Sequence, residues 1–213
     1  MKKIHKIEIS VALGLIVSMI ISIAGFGADC KKIRDEVVRL HVLANSDSED
    51  DQKVKLAVRD ALLECGAEIF SGSLDKNNAA WILESEEEKL TEIANEVLKK
   101  NGFDYSAKIY LVNEYFNTRV YDNFTMPAGE YLALKVVLGN GEGKNWWCVM
   151  FPPLCLPAAT EQTNTDAVFN DNEIKIIKEK NGYEIRFKIV EIIESIIYNI
   201  NNNTPCQPKH ILS

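Results

Sequence analysis

GEYLALKVVLGNGEGKNWWCVMFPPLC, residues 129–155, is the stretch on which the reading of the fold turns. Leu132, Leu134, Val136 and Leu138 recur at a period of two, which sets one face of a strand on a core. Asn140 and Gly141 suit a tight turn, and NWWCVMF follows as a second extended run. The spacing therefore predicts a β-hairpin of strands 130–138 and 145–151. Trp146 and Trp147 are neighbours on a strand and must point to opposite faces. One can be core; the other is either packed under another element or an exposed anchor for a partner. Cys148 and Cys155 stand seven apart around Pro152 and Pro153. A catalytic thiol, a metal site, a stapled turn and a docking surface all fit this composition, and the compartment decides among them.

The amino end speaks to the compartment. Lys2, Lys3 and Lys6 precede ISVALGLIVSMIISIAGF, residues 9–26, which carries no charge. At 1.5 Å per residue such a span reaches across about 30 Å of hydrocarbon, and its basic flank stays inside. Residues 1–28 are read as a signal peptide, cut after Ala24 or Gly27, or as an uncleaved anchor. Everything from Asp29 onward is then extracytoplasmic. Asp29 stands before Cys30 where lipidation needs a small residue, so a lipoprotein reading is set aside. Beyond the leader the chain has 21 basic and 30 acidic residues, a balance that repels nucleic acid and anionic headgroups. Five cysteines are too few for a disulfide scaffold, and the core must hold mainly by packing.

Upstream, EVVRLHVLANS from Glu36 alternates Val38, Leu40, Val42 and Ala44 against Arg39 and His41, a half-buried strand with a polar face. Ser46, Asp47 and Ser48 offer caps for a helix that buries Val54, Val58, Leu62 and Cys65. A single helix is expected over 78–100 and a strand over 105–116. After Pro157 a polar run reads as a linker, EIKIIKEKNGYEIRF as a second hairpin around Asn181 and Gly182, and 188–200 as a final helix. The expected class is α+β: a membrane or signal helix, then a two-layer domain of mainly antiparallel sheet covered by helices on one face. Its divisions are 1–28 leader, 29–157 main domain, 158–172 linker, 173–202 hairpin and helix, and 203–213 tail.

Candidate chemistry is thin. NSDSEDDQ lacks the glycine that a calcium loop needs after Asp51, since Gln52 stands there. GNGEG, residues 139–143, precedes a strand rather than the helix that would receive a phosphate. A thiol hydrolase would need Cys148 or Cys155 as nucleophile and His41 as base. His5 lies in the leader and His210 in the tail, so one histidine serves every mechanism. Two cysteines and one histidine do not close a zinc site. No catalytic residue, metal or cofactor is assigned. Outside the cytoplasm Cys148 and Cys155 would pair, provided that Phe151–Pro153 reverses the chain, as a cis X-Pro bond would, and brings their Cα atoms within about 7 Å.

The strings RLHVLANSDSEDDQKVKLAVRDALL (39–63) and TRVYDNFTMPAGEYLALKVVLGNGEGKNWWCVMFPPLC (118–155), behind a short exported leader, resemble the stage II sporulation protein R family. The resemblance implies a non-enzymatic signal made in the forespore and exported into the intermembrane space. There it activates the membrane-embedded aspartic protease of the mother cell that processes the sigma-E precursor. The alternative from another class is an extracytoplasmic thiol-dependent hydrolase acting on the cell wall. The family pattern does not fix the contacts with the protease; the candidate partner-binding set is Arg39, His41, Arg119, Trp146 and Trp147.

Overall fold

A computed structural model describes residues 2–70, 75–155, 168–178 and 183–203. Twelve elements follow in order. They are α1 (Lys2–Asp35), β1 (Val38–Leu43), α2 (Glu49–Ile69), α3 (Lys76–Ser85), α4 (Glu87–Lys100), β2 (Ala107–Phe116), β3 (Arg119–Val120), β4 (Thr125–Met126), β5 (Gly129–Leu138), β6 (Asn145–Phe151), α5 (Asp171–Lys178) and α6 (Glu184–Asn203). The order in the main sheet is β2-β5-β1-β6, and β3 and β4 form a separate two-stranded ribbon. Two of the three main ladders are antiparallel and β1 with β5 is parallel, so the class is α+β with a mixed, mainly antiparallel sheet.

The predicted hairpin is not formed. Strands β5 and β6 occupy their expected positions, but β1 lies between them, with Val38–Leu43 against Leu132–Val137 on one side and Asn145–Phe151 on the other. Asn140 and Gly141 do turn the chain, with the Gly141 N–H donating to the Leu138 carbonyl at 3.0 Å. The connection from Gly139 to Lys144 is long enough to step over one strand, about 10 Å at two interstrand spacings. The step is pinned to the end of β1. Gly143 N–H donates to the Ala44 carbonyl at 2.9 Å, Asn140 N–H to Asn45 Oδ1 at 2.9 Å, and Lys144 N–H to Asp47 Oδ1 at 2.7 Å. A Cβ at Gly143 would stand 2.2 Å from the Ser46 carbonyl oxygen, so only glycine permits this approach.

The central place of β1 also corrects the polar face assigned to it. Both faces are buried. Leu40 and Val42 enter a core with Val58 and Leu62 of α2, Leu83 of α3 and Leu90, Ala94 and Leu98 of α4. Arg39 and His41 lie on the opposite face, beside a second core of Phe26, Cys30 and Ile33 from α1, Phe116, Tyr131 and Val149 from the sheet, and Ile176 and Phe187 from α5 and α6. Helices thus cover the sheet on both faces, where one was expected.

Three further expectations change. Residues 78–100 form two helices broken at Glu86, because the apolar stripe of Ala79 and Leu83 restarts only at Leu90. EIKIIK is helical rather than a strand. Asn170 caps α5 through its side chain, which accepts from Glu173 N–H at 3.1 Å, while Glu173 Oε2 accepts from Asn170 N–H at 2.9 Å. The last helix starts at Glu184 instead of Lys188. The turn at Asn181 and Gly182, residues 158–167 of the linker and the tail from 204 lie outside the described residues.

Among the described residues one helix, α1, is long and apolar enough to cross a membrane, from Lys6 to Asp35. Its last turns belong to the folded domain: Phe26, Cys30, Ile33 and Arg34 are buried there. Arg34 donates to the Ala128 carbonyl at 3.0 Å and pairs with Glu194 at 2.6 Å. Its guanidinium lies where a Cβ of Gly129 would be, and that glycine has φ 141°.

Candidate functional site

The edge strand β6 gathers most of the residues singled out by sequence. Its cross-strand register sets His41 opposite Trp147 and Val42 opposite Trp146. The two tryptophans part to the two faces, and each is stacked by an arginine. On the α2 face Arg59 lies 4.4 Å from the Trp146 ring centre, and Trp146 remains 37% exposed. On the other face Arg119 of β3 lies 3.8 Å from the centre of the half-buried Trp147 ring, which also stacks on His41 at 5.5 Å. Trp146 is therefore the solvent-facing member and Trp147 the inward one.

His41 is buried and held at both nitrogens. Nδ1 is 2.7 Å from Glu114 Oε2, and Nε2 is 3.1 Å from Asn145 Oδ1. Burial pushes the Glu114 carboxyl up, but hydrogen bonds from His41 and Lys135 outweigh it and leave the group below the ordinary glutamate range. A histidine fixed in this way positions Trp147 and Asn145 and presents little surface to a partner.

Arg39 is fully buried. Its Nε donates to the Cys148 carbonyl at 2.9 Å and its Nη2 to the Tyr121 hydroxyl at 2.8 Å. The guanidinium lies 4.5 Å from the Phe116 ring centre and 5.0 Å from that of Tyr131, a cage in which aromatic faces replace the usual carboxylate. Of the five candidate contact residues, burial removes Arg39 from the accessible surface and leaves His41 almost none. His41, Arg119 and Trp147 form one column, and Trp146 stands alone on the other face.

Cys148 and Cys155 are bonded, with Cα atoms 6.2 Å apart, and the Phe151–Pro152 peptide is cis. The Val149 N–H on β6 points to Cys155 Sγ at 3.1 Å, and the Tyr121 hydroxyl donates to the Trp147 carbonyl at 3.2 Å. Cys30 and Cys65 are free and buried. Outside this edge runs a groove of about 490 Å³ whose walls include Arg59, Tyr121, Phe124, Trp146, Leu154 and the disulfide. Arg59 and Tyr121 were not singled out from the sequence. Arg59 carries no local signal, since its stack on Trp146 joins residues 87 positions apart. Tyr121 lies inside the quoted string 118–155, but nothing local marks it.

The acidic string NSDSEDDQ has a structural use. Asp51 is buried and accepts from Asn45 Nδ2 at 3.0 Å and from the hydroxyls of Ser46 and Tyr105, while its own N–H is capped by Ser48 Oγ at 3.1 Å. Burial pushes the Asp51 carboxyl up, and these donors outweigh it to hold the group below its ordinary value. No group of three or more metal-ligating side chains occurs among the described residues.

Fold and site together define an exposed aromatic and arginine edge on an α+β domain, carried behind an apolar helix. A family model described as stage II sporulation protein R matches residues 34–161, which includes the whole of this edge. Stage II sporulation protein R of Bacillus subtilis (strain 168) is 35% identical over 185 residues, covering 77% of this chain and 83% of that relative. The chain belongs to the stage II sporulation protein R family, and its role is in sporulation. No solved structure matches it.

Proposed function

We propose that this chain is an exported signal of endospore formation. Made in the forespore and delivered to the intermembrane space, it activates the membrane-embedded aspartic protease of the mother cell that processes the sigma-E precursor. Family membership supports a role in sporulation, within which this reading is made. The observation that carries the reading is Trp146, held rigid by Arg59 on an edge strand and still 37% exposed above a groove. A stacked, partly exposed tryptophan costs little entropy to bury and is the kind of anchor that dominates protein interfaces. The disulfide weighs against the hydrolase alternative, because Cys148 in a bond with Cys155 has no thiolate to attack with.

The test is reconstitution in a host that does not sporulate. The protease, the sigma-E precursor and this chain are expressed together and in each pairwise combination. Processed factor is expected only when all three are present and the chain is exported. Processing at full rate without the chain would end the proposal.

A further inference from the structure

The apolar helix and the domain share one continuous α-helix, and this fixes the height of the domain above a membrane. Counting from Ile9, about 20 residues of α1 cross a hydrocarbon layer of about 30 Å, which sets the outer boundary near Ala28 and Phe26 about 3 Å inside it. Phe26 is not free in that position. Its ring stacks on Tyr183 at 5.4 Å and meets Phe187 edge-on at 5.2 Å, and the Arg186 guanidinium lies 5.9 Å from it.

The direction of α6 follows from a second contact. Phe26 meets Phe187, and further along Arg34 meets Glu194. The two helices therefore run parallel, and the first turn of α6 is its lowest. Ile185, two positions before Phe187, lies about 3 Å nearer the membrane than that ring, at 1.5 Å per residue. It is 77% exposed, and Val120 of the ribbon is 73% exposed; these are the two most exposed large apolar side chains among the described residues. Val120 lines one pocket with Tyr183 and Phe187. Both thus cluster at the end of the domain from which α1 emerges, beside Tyr183, a residue type enriched at membrane interfaces.

We propose that the first turn of α6 and the β3–β4 ribbon lie in the interfacial layer of the bilayer that α1 crosses, with Ile185 and Val120 inserted at the boundary between headgroups and acyl chains. The domain is then seated on the membrane in one orientation instead of swinging from a tether. Apolar and aromatic burial drive this contact, so it needs no anionic lipid.

The experiment uses the full chain in vesicles of zwitterionic phosphatidylcholine, in a Cys206→Ser background, since Cys30 and Cys65 are buried. An environment-sensitive fluorophore is attached at Ile185→Cys, Val120→Cys or, as control, Ile197→Cys. Ile197 is also exposed and apolar but stands twelve positions further up α6, about 18 Å from Ile185. Expected are a blue-shifted emission at 185 and 120, quenching by brominated acyl chains, and protection from aqueous iodide by about two-fold or more relative to 197. Anionic lipid should not strengthen this. Any of four results overturns the proposal: equal iodide access at all three sites; equal lipid quenching at 197, which would lay α6 flat; protection at 185 that grows with protein density without lipid quenching, which would indicate a second copy; or extraction of the chain by alkaline carbonate, which would show that α1 does not cross.

Discussion

Trp146 and Trp147 are adjacent in the chain and opposite in consequence. Trp147 stacks with both Arg119 and His41, so Trp147→Ala opens a cavity and strips both contacts; a loss of about 3 kcal/mol in urea unfolding is expected. Arg39 gives a sharper test of what a buried charge does. Replacing it with alanine leaves the Cys148 carbonyl and the Tyr121 hydroxyl without their partner inside a void, at about 3 kcal/mol or more. Arg39→Met keeps the volume among Phe116 and Tyr131 and should cost less than half of that, with signalling intact. If Arg39→Met folds normally but abolishes signalling, the arginine reaches the partner after all. The polar face read for β1 failed for a plain reason: charge in a sequence signals solvent, whereas an arginine wrapped by three distant rings is visible only once the rings are assembled.

Among the elements, the acidic cap of α2 and the turn before β6 act as one latch. Asp51→Asn should cost about 2 kcal/mol at pH 7 by weakening the bonds from Ser46 and Tyr105. The sign of the pH dependence follows from the lowered Asp51 value. Its stabilisation is fully present above the unfolded-state aspartate pKa of about 3.9 and is lost as pH falls through the folded value below that. The gap between wild type and Asp51→Asn, measured by urea unfolding, should therefore shrink between pH 5 and pH 3; an unchanged gap would deny the latch its charge. Most element types were legible from periodicity: β1, α2, β2, β5, β6 and the C-terminal helix are where alternation or helical spacing put them. Partnership was not. The turn at Asn140 and Gly141 is real, yet alternation cannot report that β1 slips between the arms it joins. The helix at Asp171 had a readable signal that the hairpin reading passed over, the box of Asn170 and Glu173 three residues on.

At the scale of the molecule, the helix that carries the leader continues into the fold. Ile33 is fully buried against the face of the sheet opposite α2, so Ile33→Ala should lower stability by about 3 kcal/mol although it lies only a few residues beyond the span. The candidate site was half legible. Both tryptophans and the cysteine pair stood out by composition, and the family string enclosed them. Arg59 and the groove did not, because they form where α2 crosses β6. The decisive measurement is the amount of processed sigma-E factor in the co-expression host with Trp146→Ala and with Cys148→Ser, each beside its own melting curve. Trp146→Ala is predicted to weaken partner binding by about 2 kcal/mol and block processing while unfolding within about 1 kcal/mol of wild type. Cys148→Ser should lose about 2 to 3 kcal/mol of stability and still signal at temperatures where it stays folded. Normal processing by Trp146→Ala, together with a folded Cys148→Ser that processes nothing, would contradict an anchor on β6 and return the function to a thiol.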